Sequence, residues 1–241
     1  QLWRQIKKYC RRKATTAPIF FKAIYAYLLK LYCRPEQNFV LYEIVGGRAR
    51  QHRKSIGCYY QQIPLIFDLS AMTSESEVND YLNTIKSELR ELADEQYISV
   101  FLQKQLIPQG KVSFFYNYYN FASSISVAGG LAPLDIHINF AENQVQFIAK
   151  NIDDQLQLNL HYNSDYFTDL DLLDRILVTA KSLVDGAKTL ADINYLFDDE
   201  LKKLTKTWNE PQHIEKKYCL HQVFEERSRR QPKSIAVSYE G

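Results

Sequence analysis

The chain has 241 residues, 46% of them hydrophobic and 24% charged, with 30 Lys and Arg against 28 Asp and Glu and a net charge of +2. That length supports one domain with a sizeable core, or one domain with a small appendage. Near-neutral charge excludes nucleic acid as a main partner, because phosphate binding needs a concentrated positive face, and no apolar run reaches the length of a membrane span.

The first eight residues offer neither an initiator Met nor the apolar region of a signal peptide, and Gly241 falls in an apparent strand, so both ends read as cuts in something larger. Cys10, Cys33, Cys58 and Cys219 are far apart and form no Cys-x-x-Cys. They read as reduced thiols of a cytoplasmic protein, not as a zinc site.

In chain order, residues 1–13 predict a helix with Lys7, Lys8, Arg11, Arg12 and Lys13 on one side and Leu2, Trp3, Ile6 and Tyr9 on the other. Thr15-Thr16-Ala17-Pro18 supplies an N-cap and an early proline for a second helix. Its Ile19, Phe20, Ala23, Ile24, Tyr27, Leu28 and Leu31 repeat at helical spacing as one apolar stripe, and Arg34-Pro35-Glu36 closes it. Two strands are expected at 38–46 and 56–68. Both are rich in β-branched and aromatic residues and lack clean alternation, as in strands buried on both faces. The first ends in Gly46-Gly47-Arg48, in a chain with only 8 glycines, which marks a tight turn or a close approach to the backbone. The link at 48–54 is basic. Its His52 has no Ser, Cys or acid at a spacing useful for nucleophilic catalysis.

Ser74-Glu75-Ser76-Glu77 opens a third helix whose buried stripe is Val78, Tyr81, Leu82, Ile85, Leu89 and Leu92. Residues 112–121 read as a strand with Asn117 and Tyr119 on one face and Tyr118 and Asn120 on the other. A buried Asn needs a hydrogen bond, so these amides either cap backbone groups or bind something. Residues 123–130 form a loop by composition. The runs 134–140, 144–151 and 155–163 then form a β-meander with one buried face, turning at Ala141-Glu142-Asn143 and Ile152-Asp153-Asp154. Residues 169–188 predict a helix through Leu172, Leu173, Ile176, Leu177, Ala180, Leu183 and Val184, with Gly186 near its end. The polar stretch 209–217 reads as a linker.

The stretch from Val40 through Arg48, followed by Ile56-Gly57-Cys58-Tyr59-Tyr60-Gln61-Gln62-Ile63-Pro64-Leu65, resembles the "GxxxxGR … IGxFVNTLPLR" region of non-ribosomal peptide synthetase condensation domains. The helix before it agrees with that family's pattern. Residues 112–121 are similar to its "v-x-F-N-x-x-N" strand, and Tyr162-Asn163-Ser164-Asp165-Tyr166-Phe167 to its "l-x-Y-n-t-d-l-F" strand end. Leu196-Phe197 through Trp208-Asn209-Glu210 resembles the closing segment, and Cys219-Leu220-His221 onward resembles the opening of an adenylation domain. Residues 94–110 depart from the usual "H-Q-D-x-P-F-E" and "R-D-x-x-x-N-P-L" segments.

The resemblance implies a C-terminal condensation lobe over 1–208, a linker over 209–217, and the beginning of an adenylation domain over 218–241. The implied fold is α/β: one lobe of a chloramphenicol-acetyltransferase-like fold, a mixed β-sheet with flanking helices. The implied activity is amide-bond formation between two carrier-bound aminoacyl or peptidyl thioesters, with the catalytic His-His-x-x-x-Asp-Gly in the other lobe. His161-x-x-x-Asp165 imitates half of that motif, but Leu160 stands where the first His belongs and Tyr166 where the Gly belongs. No catalytic residue is therefore assigned to this chain. Gly47, Arg48, Gln61, Gln62, Asn117 and Asn120 are the candidate wall of the substrate tunnel and lobe interface. The basic helix at 1–13 is either a solvated face or a contact for a carrier's acidic surface or phosphopantetheine phosphate. The implied partners are the N-terminal lobe, carrier domains bearing phosphopantetheine, and the downstream adenylation domain, with no cofactor bound directly, no metal, no nucleic acid and no membrane. The alternative is a non-catalytic condensation-like module that docks carriers or recruits a tailoring enzyme, in line with the departures at 94–110. A free-standing acyltransferase would need a catalytic His, and none of the five has a suitable setting.

Overall fold

Among the described residues, five strands pair in the order β2-β1-β3-β4-β5. They are β1 (Val40–Gly46), β2 (Tyr60–Ile66), β3 (Ser113–Phe121), β4 (Gln144–Ile152) and β5 (Gln155–Tyr162). The computed structural model describes residues 1–32, 40–46, 54–56, 60–66, 71–93, 112–121, 144–167, 170–210 and 219–239. The expected strand at 134–140, the loop at 123–130, the stretch 94–110, the helix-closing Arg34-Pro35-Glu36, and Gly47, Arg48 and His52 lie outside those residues. β1 pairs parallel with β3, and β3 parallel with β4, while β2 and β5 are antiparallel edges. The sheet is thus mixed, as expected.

The β4–β5 hairpin turns at Asp153 and Asp154, both with positive φ (48° and 64°). Aspartate tolerates this region better than most residues, and a two-residue turn of this hand matches strand twist. Along β5, Leu156, Leu158, Leu160 and Tyr162 pack on the core while Gln155, Gln157 and His161 are exposed.

Helices α1 (Leu2–Arg12), α2 (Ala17–Tyr32), α3 (Val78–Ala93) and α4 (Leu172–Asp185) share one core with one face of the sheet. That face carries Leu41, Ile63, Leu65, Tyr116, Val145, Phe147 and Ala149, alternate residues of their strands. The Thr16 hydroxyl accepts a hydrogen bond from the Ile19 N–H (3.5 Å), so the expected N-cap is in place. Gly186 ends α4 at φ 120°, a conformation that a β-carbon would strain.

α2 differs from the single stripe expected. Every residue from Phe20 to Leu29 is buried, Lys22 included, while Leu31 at the end of the expected stripe is 45% exposed. α2 packs against α1, α3, α4 and β4 at once, so it has no solvent side through its middle. Phe21 and Tyr25 meet Phe147 at ring-centroid distances of 6.2 and 5.4 Å. Full burial of such a side chain contributes roughly 1.5–3 kcal/mol. Core tyrosines satisfy their hydroxyls on main-chain carbonyls: Tyr25 donates to Val145 (3.2 Å), Tyr27 to Leu190 (3.2 Å), Tyr81 to Ala23 (2.7 Å) and Tyr116 to Pro18 (2.7 Å). These four escape the cost of an unpaired buried hydroxyl, whereas the Tyr9 hydroxyl in the same core has no partner among the described residues.

The chain divides into two compact units, Gln1–Phe197 and Asp198–Gly241. The second holds α5 (Asp198–Thr205), a short 3-10 turn (Thr207–Asn209) and α6 (Leu220–Arg230), whose first turn is capped by the Cys219 N–H donating to Gln222 Oε1 (2.8 Å). All its described side chains from 201 onward are exposed, Trp208 and Phe224 among them.

Candidate functional site

Because β1, β3 and β4 run parallel, their C-terminal ends share one edge of the sheet, and antiparallel β2 begins there. Of the candidate residues, Gln61, Gln62, Asn117 and Asn120 belong to β2 and β3 toward that edge, while Gly47 and Arg48 lie outside the described residues. Gly46 closes β1 and leads into Gly47 and Arg48. Gln61 stands opposite Val45, and Gln62 opposite Ile44. Asn117 and Asn120 occupy the C-terminal half of β3. Open sheets with parallel strands commonly bind ligands beyond their carboxyl ends, so the location itself fits a site.

The two asparagines do not share a face. Asn120 has the parity of core-facing Tyr116 and is exposed at the strand end. Its Oδ1 accepts from Asn151 Nδ2 (2.9 Å), its register partner on β4. Asn117 belongs to the second face, opposite the helices, and is 3% exposed. Its Nδ2 donates to the Tyr119 hydroxyl, two residues on. The predicted pairing of Asn117 with Tyr119 on one face is observed. Gln62 has Asn117's parity and lies two strands away, about 10 Å at ordinary strand spacing.

Residues not singled out from sequence complete this second face. Tyr42 stacks on Phe115 (centroids 5.0 Å apart, 24° between planes). The Tyr42 hydroxyl is buried without a hydrogen-bond partner among the described residues. Gln146, beside Phe115 in register, and Ile148, beside Asn117, are buried as well. Burial pushes the Tyr42 and Tyr119 hydroxyls above the usual phenol range, so both stay protonated as donors at neutral pH. The only signal that could have found Tyr42 and Gln146 is strand parity combined with the inter-strand register, and register is not written in any single strand.

The arrangement suits recognition more than proton transfer. It offers amides, phenol donors and an aromatic stack, groups of the kind that recognise amides. The Cys10 thiol is on the core side and burial pushes it up to about 11, far from a reactive thiolate. His161 is exposed on edge strand β5 opposite Gln146, and the Asp165 N–H donates to Asn163 Oδ1 (2.9 Å) in a turn closing the strand. The His-x-x-x-Asp imitation is a strand end, as the sequence indicated. Among the described residues no cluster of three or more His, Cys, Asp or Glu is placed to hold a metal, and no helix is long and apolar enough to cross a membrane.

No protein-family model matches the chain. Solved structures do share its fold. The first condensation domain of the CDA synthetase superposes with a TM-score of 0.61 at 14% identity, covering 81% of this chain and 46% of that one. The X-domain from teicoplanin biosynthesis gives 0.62 at 15% identity, covering 80% and 47%. The fold is therefore that of a condensation domain of non-ribosomal peptide synthetases, over slightly less than half of such a domain's length. In sequence, the chain is similar to bacitracin synthase 3 of Bacillus licheniformis, 25% identical over 235 residues, which is 84% of this chain and 4% of that protein.

Proposed function

We propose that this chain is the C-terminal lobe of a peptide-synthetase condensation domain, running through a linker at 209–217 into an adenylation domain. The carrying observation is the fold match, 81% of this chain against 46% of a condensation domain. The reaction is aminolysis of a thioester: the amine of one carrier-bound substrate attacks the thioester carbon of another, the C–S bond breaks as the amide bond forms, and the amine's proton ends on the released thiol. The proposed partners are the lobe carrying the histidine motif and two carrier domains whose phosphopantetheine arms present the substrates. This chain's role is to position rather than to react. Asn117, Gln62 and Gln146 line the path of an amide-bearing arm, and holding two tethered reactants together supplies much of the rate.

An antibody raised against this chain, used to recover the native polypeptide from its source cell, tests the reading. The expected product is far larger than the 28.2 kDa of this chain and yields peptides containing an intact His-His-x-x-x-Asp-Gly. A product near that mass overturns the proposal and leaves the non-catalytic module that docks carriers.

A further inference from the structure

Helix α1 and the groove beside it form a surface that holds none of the candidate tunnel residues. Residues 1–32 contain eight cations (Arg4, Lys7, Lys8, Arg11, Arg12, Lys13, Lys22 and Lys30) and no Asp or Glu. Lys22 pairs with Glu43 in the core, and Lys7 pairs with Asp154 of the β4–β5 turn (2.5 Å). Arg4, Lys8, Arg11 and Arg12 are exposed. Of these, Arg4, Lys8 and Arg11 follow i, i+4, i+7 spacing, a row about 10 Å long on one face. Lys86 Nζ, bonded to the Ala14 carbonyl (3.3 Å), adds a cation just past the helix end.

Between the first turn of α1, the β4–β5 turn and α4 lies a groove of about 620 Å³. Trp3, Leu156, Leu158, Leu173 and Leu177 line it, and Arg4 and Lys7 share the lining. Leu177 is 37% exposed there, on a helix whose other leucines pack inward. An apolar slot beside a cationic row matches the two faces of an amphipathic acidic helix, with leucine-type anchors in the slot and carboxylates along the row. A nucleic acid answers the cations but has no use for five apolar side chains. An acyl chain fills the slot but leaves the row of cations unanswered.

We propose that this groove docks an amphipathic acidic helix of a partner protein, through Trp3, Leu156, Leu158, Leu173 and Leu177 for its apolar face and Arg4, Lys8 and Arg11 for its acidic face. The inference stands whether or not the chain takes part in amide-bond formation.

The test is fluorescence anisotropy with labelled synthetic helices of about 18 residues, long enough to hold helical structure. One carries Leu at i, i+3, i+4, i+7 with Glu elsewhere. A second has Lys in place of Glu, a third has Ser in place of Leu, and a single-stranded DNA serves as a fourth probe. The Leu/Glu helix is expected to bind the 241-residue chain, at least about tenfold tighter than the other probes, and to weaken as salt rises from about 0.05 to 0.3 M. Arg4→Glu/Lys8→Glu and, separately, Leu177→Asp are each expected to weaken it about tenfold or more, with thermal unfolding of the double charge variant unchanged. The proposal is overturned if the Leu/Glu helix does not bind, if DNA or the Lys helix binds as tightly, or if the charge variant binds like the parent chain.

Discussion

Lys22 and Glu43 give the sharpest test of how this core is held. Lys22 sits midway along α2, its side chain 1% exposed, paired with the Glu43 carboxylate of β1, which keeps 15% exposure. Burial pulls the Lys22 ammonium below the usual lysine range, and the Glu43 charge beside it pulls back up. The Tyr116 ring, 5.5 Å from the ammonium, adds a cation–π contact. Removing one partner of a buried pair typically costs about 3–5 kcal/mol, because the survivor is left charged and desolvated. For Lys22→Met we expect the low end, about 3 kcal/mol, since partly exposed Glu43 can recover some water. Replacing both partners, as Lys22→Met/Glu43→Leu, should restore stability to within about 1 kcal/mol of the parent chain, because neither charge then needs a partner. Urea unfolding followed by Trp3 fluorescence in a Trp208→Phe background reads the first unit alone, as the two tryptophans lie in different units. A single variant losing under about 1 kcal/mol, or a double variant as unstable as the single, would show that the pair is not desolvated as its burial implies.

Two further outcomes follow from individual side chains. Asp192 is held below the usual carboxylate range by the Thr189 N–H (2.9 Å), with the Lys188 N–H (3.1 Å) also donating to it. A depressed carboxylate stabilises above its unfolded pKa and loses that contribution as pH falls through the folded value, so the thermal-stability gap between the parent and Asp192→Ala should be open at pH 6 and close below about pH 4; a gap that ignores pH contradicts the linkage. Asn117→Leu should leave stability within about 1 kcal/mol of the parent or raise it, because the amide donates to a neighbouring phenol rather than to the main chain; a loss above about 2 kcal/mol in chemical denaturation would make Asn117 structural instead.

The helices were legible because local signals agree with packing. Thr16 caps α2, Gly186 closes α4, and Val78, Tyr81, Leu82 and Ile85 form the buried stripe of α3. The alternation of β5 and the Asp153-Asp154 turn could likewise be read from a few adjacent residues. What was not legible depends on partners distant in sequence. Lys22 lies off the apolar stripe of α2 and looks like a solvent residue until Glu43, on another element, is brought beneath it. Tyr42 and Gln146 lie 104 positions apart, and only the register through Phe115 puts them in one row. Asn117 and Asn120 read as a pair from sequence, yet three residues along a strand must divide them between faces.

That division separates two faces of different chemistry. On the helix side the Tyr25, Tyr27, Tyr81 and Tyr116 hydroxyls are spent on main-chain carbonyls and Lys22 has its carboxylate, while the Tyr9 and Thr179 hydroxyls are buried without a partner among the described residues. The second face carries a buried asparagine bonded to a neighbouring phenol, a buried glutamine, and a tyrosine hydroxyl with no partner among the described residues. An unpaired buried hydroxyl costs about 1–3 kcal/mol, and a chain selected for stability alone would replace it with Phe. That hydroxyl, on the third residue of β1 and in one row with Phe115 and Gln146, leaves this face with the hydrogen-bonding capacity that the proposed substrate-arm role calls for.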